Sequence, residues 1–286
     1  MAAIKLDGVA LSKEMRAKMA ELAADFTKKH GYPVCLAIVQ VGNNPSSESY
    51  VKNNIKLFDQ VGLKTDYRQT AEGITQAELE AIIDNINNDP HIAGILLQLP
   101  LPKHINEKQV AAKISPTKDV DGFNAISAGN LYLGNEAFVP CTPAGVIELI
   151  KASGESMSGK NAVILGRSNI VGKPMAMLLL KENATVTICH SKTQDLAKVC
   201  AQADILVAAI GKARFVTKEH IKPGAMVLDV GINWVEEEGR IVGDCDADGV
   251  NEVAGWLSPV PGGSGPMTVT MLMYNTYNAA LKLAKR

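Results

Sequence analysis

The stretch Ala162 to Pro174 reads Ala-Val-Ile-Leu-Gly-Arg-Ser-Asn-Ile-Val-Gly-Lys-Pro and has the chemistry of a phosphate-binding turn. An apolar strand runs into Gly166, and Gly172 opens a helix. A strand–turn–helix of this kind gathers backbone N–H groups and the positive end of a helix dipole at one point. The spacing is not G-x-G-x-x-G: only Gly166 and Gly172 are present, with Arg167 and Ser168 between them. Strand-to-helix turns without ligands also use glycine, so context has to decide. The next apolar strand, Ala184 to Cys189, ends in His190-Ser191-Lys192. In dinucleotide folds an acid at that strand end binds the ribose 2′-hydroxyl and favours NAD. Here a hydroxyl and a cation, Ser191 and Lys192, stand in its place, with Arg167 in the first turn. A 2′-phosphate fits such a strand end, which favours NADP over NAD. The bland alternative is an ordinary solvated strand end; the glycine turn before it weighs against that.

Three further side chains stand out. Gln98 closes an otherwise apolar strand, where an amide is poor core filling because it needs partners. Tyr50 lies in the first turns of a helix after Pro45 and offers a ring for stacking and a hydroxyl for hydrogen bonding. A half-buried helix aromatic is its plain alternative. Asp121 sits in Asp119-Val120-Asp121-Gly122, where an aspartate before glycine is more often structural. The pair Asp119 and Asp121 has no third ligand nearby in sequence, so no metal is expected.

The elements that must position these residues alternate between helix and strand. Apolar residues at helical spacing, Leu11, Met15, Met19, Leu22 and Phe26, predict a helix over Val9 to Phe26, capped by Asp7 or Ser12. Val34 to Val41 is a continuous apolar run, the mark of a buried parallel strand. Ser46 or Ser47 opens a helix to about Val61, closed by Gly62. A strand near Thr65–Gln69, a helix over Thr75–Asn88 and a strand over Ile92–Leu99 follow. After a weakly patterned stretch from Lys118 to Pro140, Thr142 starts a helix through Ala152. Strands are then expected at Asn161–Leu165, Ala184–Cys189, Asp204–Ala209 and Met226–Val230, with helices between the first three. Gly211, Gly231 and Ile232 fall at strand ends, where open α/β sheets bind ligands. Pro259 to Pro266 is a glycine-rich loop, and a final helix covers about Met267 to Lys285.

This order gives an α/β protein with parallel sheets and right-handed crossovers. Two domains are expected: 1–141, joined by the C-terminal helix 267–286, and a Rossmann-like parallel-sheet domain over 142–266. The 286 residues suit two ordinary domains. Hydrophobic residues make up 47% and charged residues 21%, ordinary for a globular protein. The net charge of −1 gives no electrostatic case for nucleic acid or an anionic membrane. Five scattered cysteines form no C-x-x-C pair, so neither zinc nor a disulfide framework is indicated. No signal-peptide core or membrane-length apolar run is visible, and the cytoplasm is the expected compartment.

Five stretches, in this order, resemble one family: Ser47-x-x-Tyr50, Ile95 to Pro102, Lys118 to Gly122, Gly166 to Pro174, and Pro259 to Thr268. The chain is similar over nearly its whole length to the bifunctional methylenetetrahydrofolate dehydrogenase/methenyltetrahydrofolate cyclohydrolases of the bacterial FolD type. The resemblance implies a homodimer of two α/β domains with a cleft between them. It implies oxidation of 5,10-methylenetetrahydrofolate by NADP, then hydrolysis of the methenyl product to 10-formyltetrahydrofolate. By resemblance, Gly166, Arg167, Ser168, Ser191 and Ile232 contact NADP. Tyr50 and Asp121 bind the folate, Gln98 tunes the catalytic group, and Pro261, Gly262, Gly263 and Thr268 shape the rest of the pocket.

One departure matters. Members that hydrolyse the methenyl group usually carry Lys four residues after this Tyr, on the same helical face. Here that residue is Asn54, which cannot carry a proton near neutral pH. Lys52 and Lys56 lie roughly 160–200° around the helix from it and cannot substitute. The expectation is a dehydrogenase whose cyclohydrolase step lacks its acid/base. Ser264, where the family commonly has Val, is expected to change local packing only. Two other readings remain. A shikimate-type or amino-acid NADP dehydrogenase would need a catalytic Lys–Asp pair, for which Lys118-Asp119 is the nearby candidate. A non-catalytic NADP-binding regulatory module is the other.

Overall fold

The computed structural model describes residues 2–285, the side chain of Ser46 excepted. In chain order the elements are β1 (Ile4–Lys5), α1 (Gly8–His30), β2 (Cys35–Val41), α2 (Pro45–Gln60), β3 (Lys64–Thr70), α3 (Gln76–Asn88) and β4 (Gly94–Leu97). Then come α4 (Glu107–Lys113), α5 (Ala125–Leu133), α6 (Cys141–Ala152), β5 (Asn161–Leu165), α7 (Gly172–Lys181), β6 (Thr185–Cys189) and α8 (Leu196–Cys200). The chain ends with β7 (Ile205–Ala208), β8 (Met226–Asp229), β9 (Asn233–Val235), β10 (Arg240–Val242), α9 (Ala247–Asn251), β11 (Trp256–Ser258) and α10 (Ser264–Leu283).

These elements form two units. One comprises Pro140–Met271 with the residues up to Lys13; the other comprises Glu14–Val139 with the residues from Leu272 onward. The first holds a six-stranded sheet in the order β1-β11-β8-β7-β5-β6, every pairing parallel. Strands β7 and β8 are buried along their length, as apolar strands covered on both faces should be. β5 lies between β6 and β7, so the chain leaves β5 to one side and returns on the other. The topological switch point of the sheet is therefore at the β5/β7 boundary. A small antiparallel ribbon, β9 with β10, completes this unit.

Strands β1 and β11 went unforeseen, and they move the domain boundary. Ile4 and Lys5 pair with Trp256 and Leu257, and the Leu6 amide donates to the Leu257 carbonyl at 2.9 Å. The chain start thus belongs to the six-stranded unit, whereas the sequence placed it in 1–141. A two-residue strand carries no periodicity from which to read this.

The second unit is built on the parallel sheet β3-β2-β4. Ala37, Val39, Leu79, Ile83, Ile86 and Ile95 fill its core. Thr75 and Glu78 close a capping box on α3. Two helix starts differ from expectation. Pro45 begins α2, and Asn44 Oδ1 accepts the Ser47 amide at 3.3 Å, so Asn44 takes the capping role given to Ser46 or Ser47; the Ser46 side chain lies outside the described residues. Helix α10 begins at Ser264 rather than Met267, because Pro266 falls in the first turn, where proline needs no amide partner. At α1, Asp7 Oδ1 accepts the Val9 and Ala10 amides at 3.0 and 3.1 Å, which settles its cap. The end of α10 docks by side-chain bonds: Asn275 donates to the carbonyls of Val120 (2.8 Å) and Val139 (2.9 Å).

Candidate active site

In the six-stranded unit, the site is a turn that only glycine can make. Gly166 has φ +133°, and a Cβ there would collide with the Ala209 carbonyl at the end of β7. A Cβ on Gly172 would collide with the Gly166 carbonyl. Ser168 Oγ accepts the amides of Val171 (3.1 Å) and Gly172 (3.3 Å), fixing how the turn enters α7. Arg167, Ser168 and Asn169 are exposed beside it. At the end of β6, His190 and Thr193 close a turn: the His190 amide donates to Thr193 Oγ1 at 2.9 Å. Ser191 and Lys192 are exposed on that turn. Ile232 follows β8 and is 66% exposed, unusual for an isoleucine at a sheet's carboxyl edge. The cradle fits a dinucleotide: a pinched glycine turn at the switch point, a helix start above it, and a cationic strand end without an acid.

The loop Pro259–Gly263 and Thr268 also lie in this unit. The Val9 amide donates to the Gly262 carbonyl at 3.2 Å, and a Cβ on Gly8 would collide with the Gly263 carbonyl. Thr268 Oγ1 lies 3.0 Å from Thr142 Oγ1. Ser264 is buried, and its hydroxyl donates to the Asp229 carbonyl at 3.4 Å.

In the three-stranded unit, Gln98 stands just past β4, with its amide nitrogen donating to the Leu99 carbonyl at 2.7 Å. The same carbonyl accepts from Ser47 Oγ at 3.4 Å, which ties the first turn of α2 to the end of β4. Asp121 follows Lys118–Val120, whose backbone runs alongside β4: the Ile95 amide donates to the Lys118 carbonyl at 2.8 Å. Gly94 is obligatory there, because a Cβ would collide with Val120. Tyr50 is exposed on α2.

Lys118 and Asp119 are consumed by structure. The buried Lys118 ammonium donates to the carbonyls of Ile86 (2.8 Å) and Asp89 (2.5 Å), and burial lowers its pKa. Asp119 accepts from the Phe123 and Asn124 amides and from Ser127 Oγ, at 3.1, 2.9 and 2.6 Å. Burial pushes its carboxyl up, while the Ser127 and backbone bonds pull it back. Asp119 therefore builds the turn that presents Asp121. The sequence offers Ser47 as a helix opener and Asp119 as half of a Lys–Asp pair; the structure instead uses Ser47 to tie α2 to the end of β4 and Asp119 to hold the Asp121 turn.

Asn54 is the anomaly. It is fully buried, between Val51 and Phe58 on the inner face of α2, and neither Oδ1 nor Nδ2 has a partner. A buried amide with both ends unmet is rare and costly. Lys52 and Lys56 are exposed, Lys52 on an ion pair with Glu48 at 3.2 Å. Neither cation reaches the inner face.

Among the described residues no cluster of three or more His, Cys, Asp or Glu could hold a metal, and no helix is long and apolar enough to cross a membrane. Fold and turn together define a two-unit α/β protein of the dinucleotide-binding class. The chain belongs to the tetrahydrofolate dehydrogenase/cyclohydrolase family: its catalytic-domain model matches residues 6–121, and its NAD(P)-binding-domain model matches residues 140–284. The bifunctional protein FolD of Brevibacillus brevis is 51% identical over 286 residues, covering 100% of both chains. The crystal structure of the FolD dehydrogenase/cyclohydrolase from Campylobacter jejuni superposes with a TM-score of 0.96 at 45% identity, covering 98% of this chain and 99% of that one. The Trypanosoma brucei enzyme, solved with NADP cofactor and inhibitor, gives 0.95 at 35% identity over 100% of both chains. Shikimate dehydrogenase from Aquifex aeolicus shares the fold alone, at 14% identity and a TM-score of 0.51.

Proposed function

We propose that this chain oxidises 5,10-methylenetetrahydrofolate to 5,10-methenyltetrahydrofolate with NADP, and that its cyclohydrolase step is crippled. The Gly166 turn carries the coenzyme reading: its backbone is pinched where any side chain would collide, at the switch point of the sheet. Gly166, Arg167 and Ser168 would take the pyrophosphate, Ser191 the 2′-phosphate side, and Ile232 the nicotinamide face. When bound, NADP supplies the hydride acceptor. The chain's own task is positioning: hydride transfer needs two carbons held in contact and little proton chemistry.

Asp121 suits the pterin, whose row of N–H donors a carboxylate accepts well. Tyr50 would stack on the substrate, Gln98 would orient it, and Pro261, Gly262, Gly263 and Thr268 would line the remainder. Hydrolysis of the methenyl group asks for more, because water attack and ring opening both move a proton. Position 54 offers only an amide, and the nearest cations face away. The loss is about 10²–10⁴-fold, the usual worth of a general acid–base. The test feeds methenyltetrahydrofolate and follows its absorbance above the buffer rate. A turnover equal to that of a Lys-bearing relative sinks the proposal, and Asn54→Lys is expected to raise the rate.

The cytoplasm is the compartment proposed, in keeping with five free thiols and no disulfide among the described residues. A homodimer is proposed across β6. It is an edge strand of the six-stranded sheet, with Ile188 on it 38% exposed and Leu180 on the neighbouring α7 57% exposed. Light scattering of the purified chain at the monomer mass would rule this out.

A further inference from the structure

Two buried aspartates in the six-stranded unit have no part in the chemistry above. Asp244, after β10, is wholly buried. Its carboxylate accepts the amides of Ile210 (2.7 Å), Gly211 (3.0 Å) and Lys212 (2.8 Å), and the side-chain amide of Asn233 (3.0 Å). Asp229, the last residue of β8, accepts the amides of Gly231 (3.1 Å), Asp244 (2.9 Å) and Cys245 (3.0 Å). One carboxylate thus holds the backbone that presents the other. There is no slack in the arrangement: a Cβ on Gly231 would collide with the Asp244 carboxylate, and one on Gly243 with that of Asp229.

The donors to these side chains are N–H groups and, at Asp229, the Cys245 thiol, and none is a cationic side chain. Burying two carboxylates without a counter-charge is an expensive way to anchor turns. What it adds is stiffness, because charged acceptors bond roughly twice as strongly as neutral ones. The anchored segments are particular. Residues 210–212 leave the carboxyl end of β7, and 231–233 leave that of β8. Pyrophosphate at the Gly166 turn leaves the adenosine half over β6 and the other half over β7 and β8.

We infer that Asp229 and Asp244 form a carboxylate brace that sets the β7 and β8 loops for the nicotinamide half of the coenzyme. They are positioning residues: they act through Gly211, Lys212 and the Gly231–Ile232 segment rather than on the coenzyme itself. The inference rests on the dinucleotide reading of the Gly166 turn.

The test is isothermal titration of the full-length protein at pH 7.5 with NADP and, separately, with 2′,5′-ADP, which carries only the adenosine half. Asp244→Asn turns an amide N–H₂ toward donors that need an acceptor. It is expected to weaken NADP binding about tenfold or more while leaving 2′,5′-ADP within about twofold. Asp204→Asn is the control: Asp204 lies at the amino end of β7, where it accepts the Asn161 amide at 2.8 Å and pairs with Lys222 at 2.6 Å. It is expected to move neither ligand. Unchanged NADP affinity in Asp244→Asn overturns the brace, and so does equal weakening of both ligands, which means general loosening. If Asp244→Asn does not fold, Asn233→Ala decides. Removing that donor is expected to weaken NADP by about threefold or more with the same split, and an unchanged value overturns the inference. Failure of the unaltered protein to bind either ligand refutes the coenzyme reading itself, and the brace with it.

Discussion

Replacing Asn54 with Leu removes the polar anomaly of α2 and leaves a side chain of similar size between Val51 and Phe58. In the folded protein both ends of the Asn54 amide are buried and unmet, whereas in the unfolded chain water satisfies them. An orphaned buried polar group costs about 1–3 kcal/mol, and Asn54 has two. Leucine relieves that cost and gives back some in imperfect packing, so the expected gain is about 1–3 kcal/mol. With a urea dependence near 2 kcal/mol per molar, that is an increase in midpoint of about 0.5–1.5 M. The chain provides its own reporters. All six tyrosines lie in the three-stranded unit, and both tryptophans, Trp234 and Trp256, lie in the six-stranded one. Tyrosine near-ultraviolet dichroism should shift to higher urea, with tryptophan fluorescence as the reference. A midpoint lowered by about 0.5 M or more refutes the reasoning, since it means the amide has partners worth keeping.

Gly166→Ala forces a side chain onto the Ala209 carbonyl at a φ that alanine disfavours; a loss of about 1–3 kcal/mol and no measurable NADP binding by titration are expected. Lys118→Met orphans two carbonyls and should cost about 1–3 kcal/mol by urea unfolding, with dehydrogenase kcat lowered less than tenfold. A loss of kcat beyond about a hundredfold there would revive the Lys–Asp dehydrogenase reading. Burial, reinforced by the charge of Asp244, pushes the Asp229 carboxyl up to about 6, against an unfolded value near 4. Between those values the folded protein holds a proton that the unfolded chain has lost. The stability this group contributes is therefore full below about pH 4 and falls by about 3 kcal/mol as the pH rises through 6. Urea midpoints from pH 4.5 to 7 should show that slope in the native sequence and not in Asp229→Asn.

Legibility followed the strength of local signals. The apolar runs of β2, β5, β7 and β8 could be read because a parallel strand covered on both faces must be apolar throughout. The Gly166 turn could be read because a strand, a glycine and a helix start fall within a few residues. Strands β1, β9, β10 and β11, of two or three residues each, exist only through their partners. Helical periodicity grouped Asn54 with Tyr50. The structure puts Asn54 on the inner face and Tyr50 at the exposed edge, because residues four apart differ by about 40° around the axis. In sequence Asp229 falls inside the expected strand Met226–Val230 and Asp244 in a stretch with no expected element; the close fit of Gly231 and Gly243 against their carboxylates appears only in the fold. The same distance between sequence and space hid the structural work of Asp119, whose partners are two loop amides and the Ser127 hydroxyl in the first turn of α5.

The most direct measurement supplies the protein with methylenetetrahydrofolate and NADP and follows both products. NADPH and methenyltetrahydrofolate should rise together, with 10-formyltetrahydrofolate appearing only at the rate of the buffer. Absence of NADPH, or 10-formyltetrahydrofolate formed as fast as NADPH, would contradict the account.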